Sequence, residues 1–195
     1  VDSAFQYDQY ILIKQVIALT GTLRIYSPQE QLVLFSQQKI FKLREDIRVY
    51  ADEMKSRELL TIKARQIIDF SAYYDVVDSQ YLTKLGGFRR KGLRSLVQDE
   101  WEIFDEKEHL IGTLKEDSLR DALLRRLFLG TLIPQNYDLT IGNDRVADYS
   151  QRFQLFRYVL NIDFQMDTGK ILDHRIGIAV AILLAMIEGR QHKQG

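Results

Sequence analysis

From Ile176 to Ile187 the chain reads IGIAVAILLAMI, with no polar side chain on any face. A helix that is apolar all round has no face suited to water, so it must be surrounded. Length decides what surrounds it. About a dozen apolar residues fall short of the roughly 20 that span a bilayer, and such a stretch is more often a buried core helix. Asp173, His174 and Arg175 bound it on one side, and Glu188, Arg190, His192 and Lys193 on the other. Gly177, Ala181 and Ala185 recur at every fourth position, a small-residue stripe that lets another backbone approach closely. In a membrane that stripe would be a helix-dimer seam; inside a protein shell it would be where the helix presses on a sheet. The length argument favours the shell. A helix is therefore predicted over Ile171–Ile187, enclosed by its own chain, and no transmembrane span is expected.

The material for the shell recurs along the sequence as short alternating segments separated by polar turns, the pattern of hairpins. The clearest runs from Trp101 to Asp105, through Glu106–His109, to Leu110–Leu114. Another runs from Tyr74 to Asp78, through Ser79 and Gln80, to Tyr81–Leu85. In both, an aromatic residue, a β-branched residue two later and an aspartate two later again share one side of a pleated strand, and the aspartate opens the turn. Looser copies join Arg24–Tyr26 to Leu32–Leu34 and Val49–Asp52 to Leu59–Ile62, and a fifth begins at Tyr137–Ile141 with Gly142–Asp144 as its turn. Hairpins at this spacing form a meander that must close or sandwich itself to hide its edges. A second helix is predicted from the Asp117-Ser118 cap through Leu119–Leu129, ended by Gly130 and Pro134.

At 195 residues, one domain over 1–195 is the default. Lys plus Arg number 27 and Asp plus Glu 27, so there is no global attraction to nucleic acid or an anionic membrane, and any such binding must come from a local patch. No nucleic-acid partner is expected. The absence of cysteine excludes a disulfide framework, a thiolate nucleophile, Cys-ligated zinc and S-palmitoylation, and favours a reducing compartment. VDSAFQYDQY at the start lacks the basic and apolar regions of a secretory signal.

Taken together, these residues resemble the group that joins the LURP-one-related proteins, phospholipid scramblases and the C-terminal domain of tubby. The similarity is carried by SLVQDEWEIFDEKEHLIGTLKEDS at Ser95–Ser118, by Leu123-Leu124-Arg125-Arg126, by Ile133–Tyr137 and by Asp173-x-Arg175 before the last helix. It implies a mainly β fold, a closed antiparallel barrel of about twelve strands around the apolar C-terminal helix. Features of the scramblase branch are missing. There is no cysteine-rich segment, Pro28 and Pro134 are the only prolines, and Asn161–Gly169 carries only Asp163 and Asp167 where a calcium loop needs alternating ligands.

The most basic stretch is Phe88-Arg-Arg-Lys-Gly-Leu-Arg94, read as lying between two strands. Arg89, Arg90, Lys91 and Arg94 on a flexible turn would grip a phosphate, with amides of Gly86 and Gly87 joining in. The resemblance to tubby points the same way, since that domain is known for phosphoinositide binding. The bland alternative is a solvated hairpin end whose charges protect an edge. Arg125 and Arg126 would extend the patch or form the outer face of an amphipathic helix. No catalytic residue, metal site or cofactor is identified. His109, His174 and His192 are far apart, with His109 a turn residue and His174 part of the polar entrance to the helix, and nucleophile-elbow and phosphate-loop signatures are absent. Asp173 complements the helix dipole, and Arg175 is expected to pair with an acid at the barrel rim. The expected function is that of a non-enzymatic binding domain, cytoplasmic and peripheral at a membrane, whose partner is an anionic phospholipid headgroup or a protein. The alternative is scramblase-like lipid translocation, with the C-terminal helix inserted in the membrane.

Overall fold

In the computed structural model, residues 1–15, 20–39, 46–68, 71–91, 100–116, 134–152, 154 and 156–188 are described. Twelve strands run β1 (Gln9–Gln15), β2 (Thr20–Tyr26), β3 (Leu32–Lys39), β4 (Ile47–Tyr50), β5 (Glu58–Ile68), β6 (Ser71–Asp78), β7 (Thr83–Arg90), β8 (Glu100–Phe104), β9 (Leu110–Glu116), β10 (Asn136–Ile141), β11 (Asp144–Arg152) and β12 (Arg157–Asp163). Each pairs antiparallel with its sequence neighbour, and β1 pairs with β12 from Gln9↔Asp163 to Gln15↔Arg157, closing the barrel. Closure leaves no unpaired edge to template aggregation. All five expected hairpins are present. The predicted helix over Leu119–Leu129, with Arg125 and Arg126, lies outside the described residues.

The C-terminal helix, α1 (His174–Glu188), runs through the barrel, and every residue from Ile176 to Met186 is buried. Its start is later than the sequence suggested. Asp167 accepts from the amides of Ile171 (2.9 Å) and Leu172 (2.8 Å), holding them in the preceding loop. Asp173 is the cap, its side chain accepting from the Arg175 amide at 2.9 Å and its carbonyl from the Ile176 amide at 2.9 Å.

Alternation with period two turns Tyr10, Leu12 and Lys14 of β1 inward, and likewise Tyr74, Val76 and Asp78 of β6 and Trp101 and Ile103 of β8. The rings of Tyr74, Phe88 and Trp101 gather on the inner wall with centroids 5.8–6.3 Å apart. Between this cluster and Val180, Leu183 and Leu184 of α1 the residual gap is about 10 Å³. That is no more than one water needs, so the barrel there is a packed core with no lumen. At roughly 1.5–3 kcal/mol per large apolar side chain buried, the helix is the largest single contributor to this interior. The small-residue stripe marks its closest approach. An added Cβ at Gly177 would sit 2.7 Å from the ring of Phe164, just past β12. Among the described residues, no helix is long and apolar enough to cross a membrane.

The two ends of the barrel differ. The five hairpin turns among the described residues, at 27–31, 51–57, 79–82, 105–109 and 142–143, lie on the rim where α1 begins. The described strands end at the opposite rim at Gln15, Lys39, Ile68, Arg90, Glu116 and Arg152.

Candidate functional site

Charged side chains gather at the turn-side mouth, where α1 enters, and on the outer surface where β7, β8 and β9 run toward the opposite rim. The mouth is organised by Arg175. Its Nη1 donates to Asp78 Oδ2 at 2.6 Å, while Nε and Nη2 hold Asp173 at 2.5–3.1 Å. Asp78 also accepts from the amides of Gln80 (2.9 Å) and Tyr81 (3.1 Å), so it opens the β6–β7 turn as the sequence pattern requires. Burial alone would raise the Asp173 carboxyl, but hydrogen bonds and charge from Arg175 carry it below its ordinary value. His174 makes a 3.2 Å hydrogen bond through Nδ1 to the Phe5 carbonyl and stacks on Phe164 at 4.4 Å. The 3-10 turn Ser3–Phe5 thus lies against the entrance, and Arg57 pairs with Asp2 beside it. A hollow of about 170 Å³ remains, lined by Asp2, Phe5, Leu59, Asp78, Gln80, Tyr81, Arg175 and Val1.

The described part of the basic stretch, Phe88–Lys91, does not form the turn expected from the sequence. Phe88, Arg89 and Arg90 are the last residues of β7, a strand paired on both sides with no edge to protect. Strand alternation therefore splits the cations. Arg89 donates to Glu102 at 2.6 and 2.9 Å, and Lys91 reaches Glu100 at 2.7 Å and Glu102 at 3.8 Å. Arg90 faces the other way, with its guanidinium carbon 6.0 Å from the centre of the buried Trp101 ring. Arg94 lies outside the described residues. Gly86 and Gly87 are strand residues chosen for close approach, since a Cβ at Gly86 would meet the Phe104 carbonyl oxygen at 2.4 Å and one at Gly87 the Tyr74 oxygen at 2.7 Å. Their amides form no phosphate cradle.

What the structure brings together is an outward strip that the sequence reading overlooked: Arg89, Glu102, Lys91, Glu100 and Lys115, the last 3.7 Å from Glu100. Its acidic members were legible as alternate residues of β8, but recognising them needed the register Arg89↔Glu102 and Glu100↔Lys115. A second cluster, on β5, β6 and β7, joins Arg65 and Lys84 to Asp75 and Glu108, and the two cations hold the exposed Glu108 carboxyl at about 2. It fastens the β8–β9 turn to the neighbouring strands. The carboxylates once weighed for calcium are committed elsewhere: Asp163 accepts from Gln9 Nε2 (2.9 Å) and the Gln165 amide (2.8 Å), and Asp167 caps the loop before α1.

No curated protein matches the chain. Among solved structures, an X-ray structure of a protein from Arabidopsis thaliana is similar over 96% of this chain and 96% of that one, with a TM-score of 0.52 at 12% identity. At that identity the likeness shows the fold alone. The family model described as LURP-one-related matches residues 32–185, from β3 almost to the end of α1. With the barrel closed and its C-terminal helix enclosed, this chain belongs to the LURP-one-related family.

Proposed function

We propose that the chain is a non-enzymatic binding domain that meets a membrane surface by holding an anionic phospholipid headgroup on the outward strip around Arg89 and Lys91. Family membership and the filled barrel accord with a binding domain, because a core occupied by α1 leaves binding to the outer surface and the rims. The observation that carries the finer reading is that three cations, Arg89, Lys91 and Lys115, share two carboxylates, Glu100 and Glu102. One positive charge is left over, and the Arg89 guanidinium and the Lys91 ammonium converge on the same carboxylate. A phosphate carrying more charge than a carboxylate would take donors from both cations by displacing Glu102.

Flotation with phosphatidylcholine vesicles, with and without a phosphoinositide, tests it. The phosphoinositide is expected to carry the protein into the floating fraction, and Arg89→Ala with Lys91→Ala to abolish that gain. Equal recovery on both vesicles, or an unchanged gain in the variant, contradicts the strip as a lipid site. Glu102→Gln, which frees both cations, is expected to strengthen flotation.

A further inference from the structure

The turn-side rim carries large apolar side chains at the tips of successive hairpins, where polar residues are the rule. Met54, on the β4–β5 turn, is 90% exposed; Tyr81 and Leu82, on the β6–β7 turn, are 72% and 82% exposed; Leu110 and Ile171 are also exposed on this rim. Exposed apolar groups gathered on one face mark interaction surfaces more often than chance placements do. Leu82 adds a second sign. Its φ is +53°, a left-handed conformation that favours Gly or Asn and is costly for other residues. Two of the other residues with positive φ on this rim, Glu108 and Lys55, use their side chains locally: Glu108 pairs with Arg65 and Lys84, and Lys55 donates to Gln37 at 2.8 Å. The side chain of Leu82 is instead held out into solvent.

Beside this tip is the hollow of about 170 Å³, whose lining includes Tyr81, Phe5 and Leu59 together with Asp2, Asp78 and Arg175. The charge of Arg175 is already balanced by Asp78 and Asp173, and that of Arg57 by Asp2, so neither guanidinium at the hollow is left without a carboxylate partner. On the flanking turns Glu53 is taken up by Arg24 and Glu108 by Arg65 and Lys84, which leaves Glu30, Asp52, Asp105 and Glu106 against Lys55 and Lys107. This rim is acidic although the chain as a whole is neutral. The excess follows from turn chemistry, because Asp52, Asp78 and Asp105 each accept backbone amides at the start of their turns.

We propose that the turn-side rim is a docking surface for a basic, partly apolar peptide segment of a protein partner, whose Lys or Arg side chain enters the hollow while its apolar residues cover Tyr81, Leu82 and Met54. A long cationic side chain suits the hollow because its alkyl stem packs on Phe5, Leu59 and Tyr81 while its head reaches carboxylates. Charge complementarity selects this occupant over a lipid surface, since an anionic leaflet repels the carboxylates around the tips. The surface is at the opposite end from Lys91 and Arg90, and it stands apart from the headgroup reading above.

Fluorescence anisotropy with a labelled Lys/Leu peptide, and with the same peptide carrying Glu for every Lys, tests the proposal on the full chain. The Lys/Leu peptide is expected to bind with an affinity that falls as salt rises, and the Glu/Leu peptide not to bind. Tyr81→Ser with Leu82→Asn is expected to weaken binding by about tenfold or more, as loss of a central anchor does, whereas Arg89→Ala with Lys91→Ala leaves it unchanged. Leu82→Asn suits its backbone, so an unchanged or raised Tm separates lost docking from lost folding. Absence of binding, equal binding of both peptides, or full affinity in the Tyr81/Leu82 variant overturns the proposal. So does a Tyr81/Leu82 variant that loses binding to phosphatidylserine vesicles while keeping its affinity for the peptide, which would make the tips a lipid surface.

Discussion

Arg175 Nη1 donates to the carboxylate of Asp78 at 2.6 Å, tying the first turn of the core helix to the end of a strand 97 residues away. Both side chains are largely buried, at 15% and 8% exposure, so the pair fixes how deep α1 sits in the barrel. Removing one partner of such a pair leaves a buried charge without its counter-charge. Arg175→Met is expected to cost about 3 kcal/mol in denaturant unfolding, the lower end for buried pairs because the adjoining hollow admits water. A loss below about 1 kcal/mol would show that Asp78 is satisfied by its turn amides alone.

Acid should loosen the same mouth. The Asp173 carboxyl is held below its ordinary value of 3.8 in the folded chain, against the pull of burial, by the hydrogen bonds and charge of Arg175. A carboxyl depressed on folding stabilises fully above its unfolded pKa, and that stability is lost as pH falls through the folded value. The contribution is thus present at neutral pH and declines progressively as pH falls below about 4. Between pH 5 and pH 3 the urea midpoint of Asp173→Asn should fall less than that of the unmodified chain; parallel falls would mean that Asp173 is not the group titrating.

Gly177 reverses the usual rule for helices. In an exposed helix Gly→Ala stabilises by about 1 kcal/mol. Here the new Cβ would lie 2.7 Å from two ring carbons of Phe164, and Gly177 also presents its carbonyl to the buried Tyr149 hydroxyl at 3.1 Å. Gly177→Ala is expected to destabilise by about 1–3 kcal/mol through overpacking. Adding Phe164→Leu should recover part of that loss, and strict additivity in the double-mutant cycle would exclude the contact as its cause.

At the other end of the helix, Lys14 points into the barrel and donates from Nζ to the Ala185 carbonyl at 2.7 Å. A cation at the carbonyl end of a helix complements its dipole. Lys14→Met keeps the stem and removes the donor, with an expected cost of about 1–3 kcal/mol. An unchanged melting temperature would show that water serves Ala185 equally well.

Much of this was legible in the sequence because it follows from local chemistry. The Trp101-x-Ile103-x-Asp105 and Tyr74-x-Val76-x-Asp78 alternations place their strands, inner faces and turns, and the unbroken apolar run after Arg175 requires enclosure. The strands that close the barrel were harder to read. In β1, Ile11 and Ile13 on the outer side are as apolar as Leu12 inside, and in β12 the run Tyr158-Val159-Leu160 is buried throughout, so neither shows a polar face against an apolar one. They are identified by pairing with each other, which is a long-range fact. The same holds for the charged groups. Arg89 and Lys91 look like a free cationic tract until the register sets Glu102 and Glu100 beside them, and nothing local marks Asp78 as the partner of Arg175. Lys14 reads as a surface residue because its carbonyl partner is 171 positions away.

Enclosure of α1 is the claim on which the rest depends, and the absence of cysteine makes it directly measurable. A single Val180→Cys substitution puts one thiol in the middle of the helix, and Ile171→Cys puts one at the exposed approach to it. Reaction with a maleimide polyethylene glycol under native conditions is the measurement. An enclosed helix predicts rapid modification at residue 171, and at residue 180 modification no faster than global unfolding until denaturant is added. Equally rapid native modification at both positions would contradict a helix held inside its own barrel.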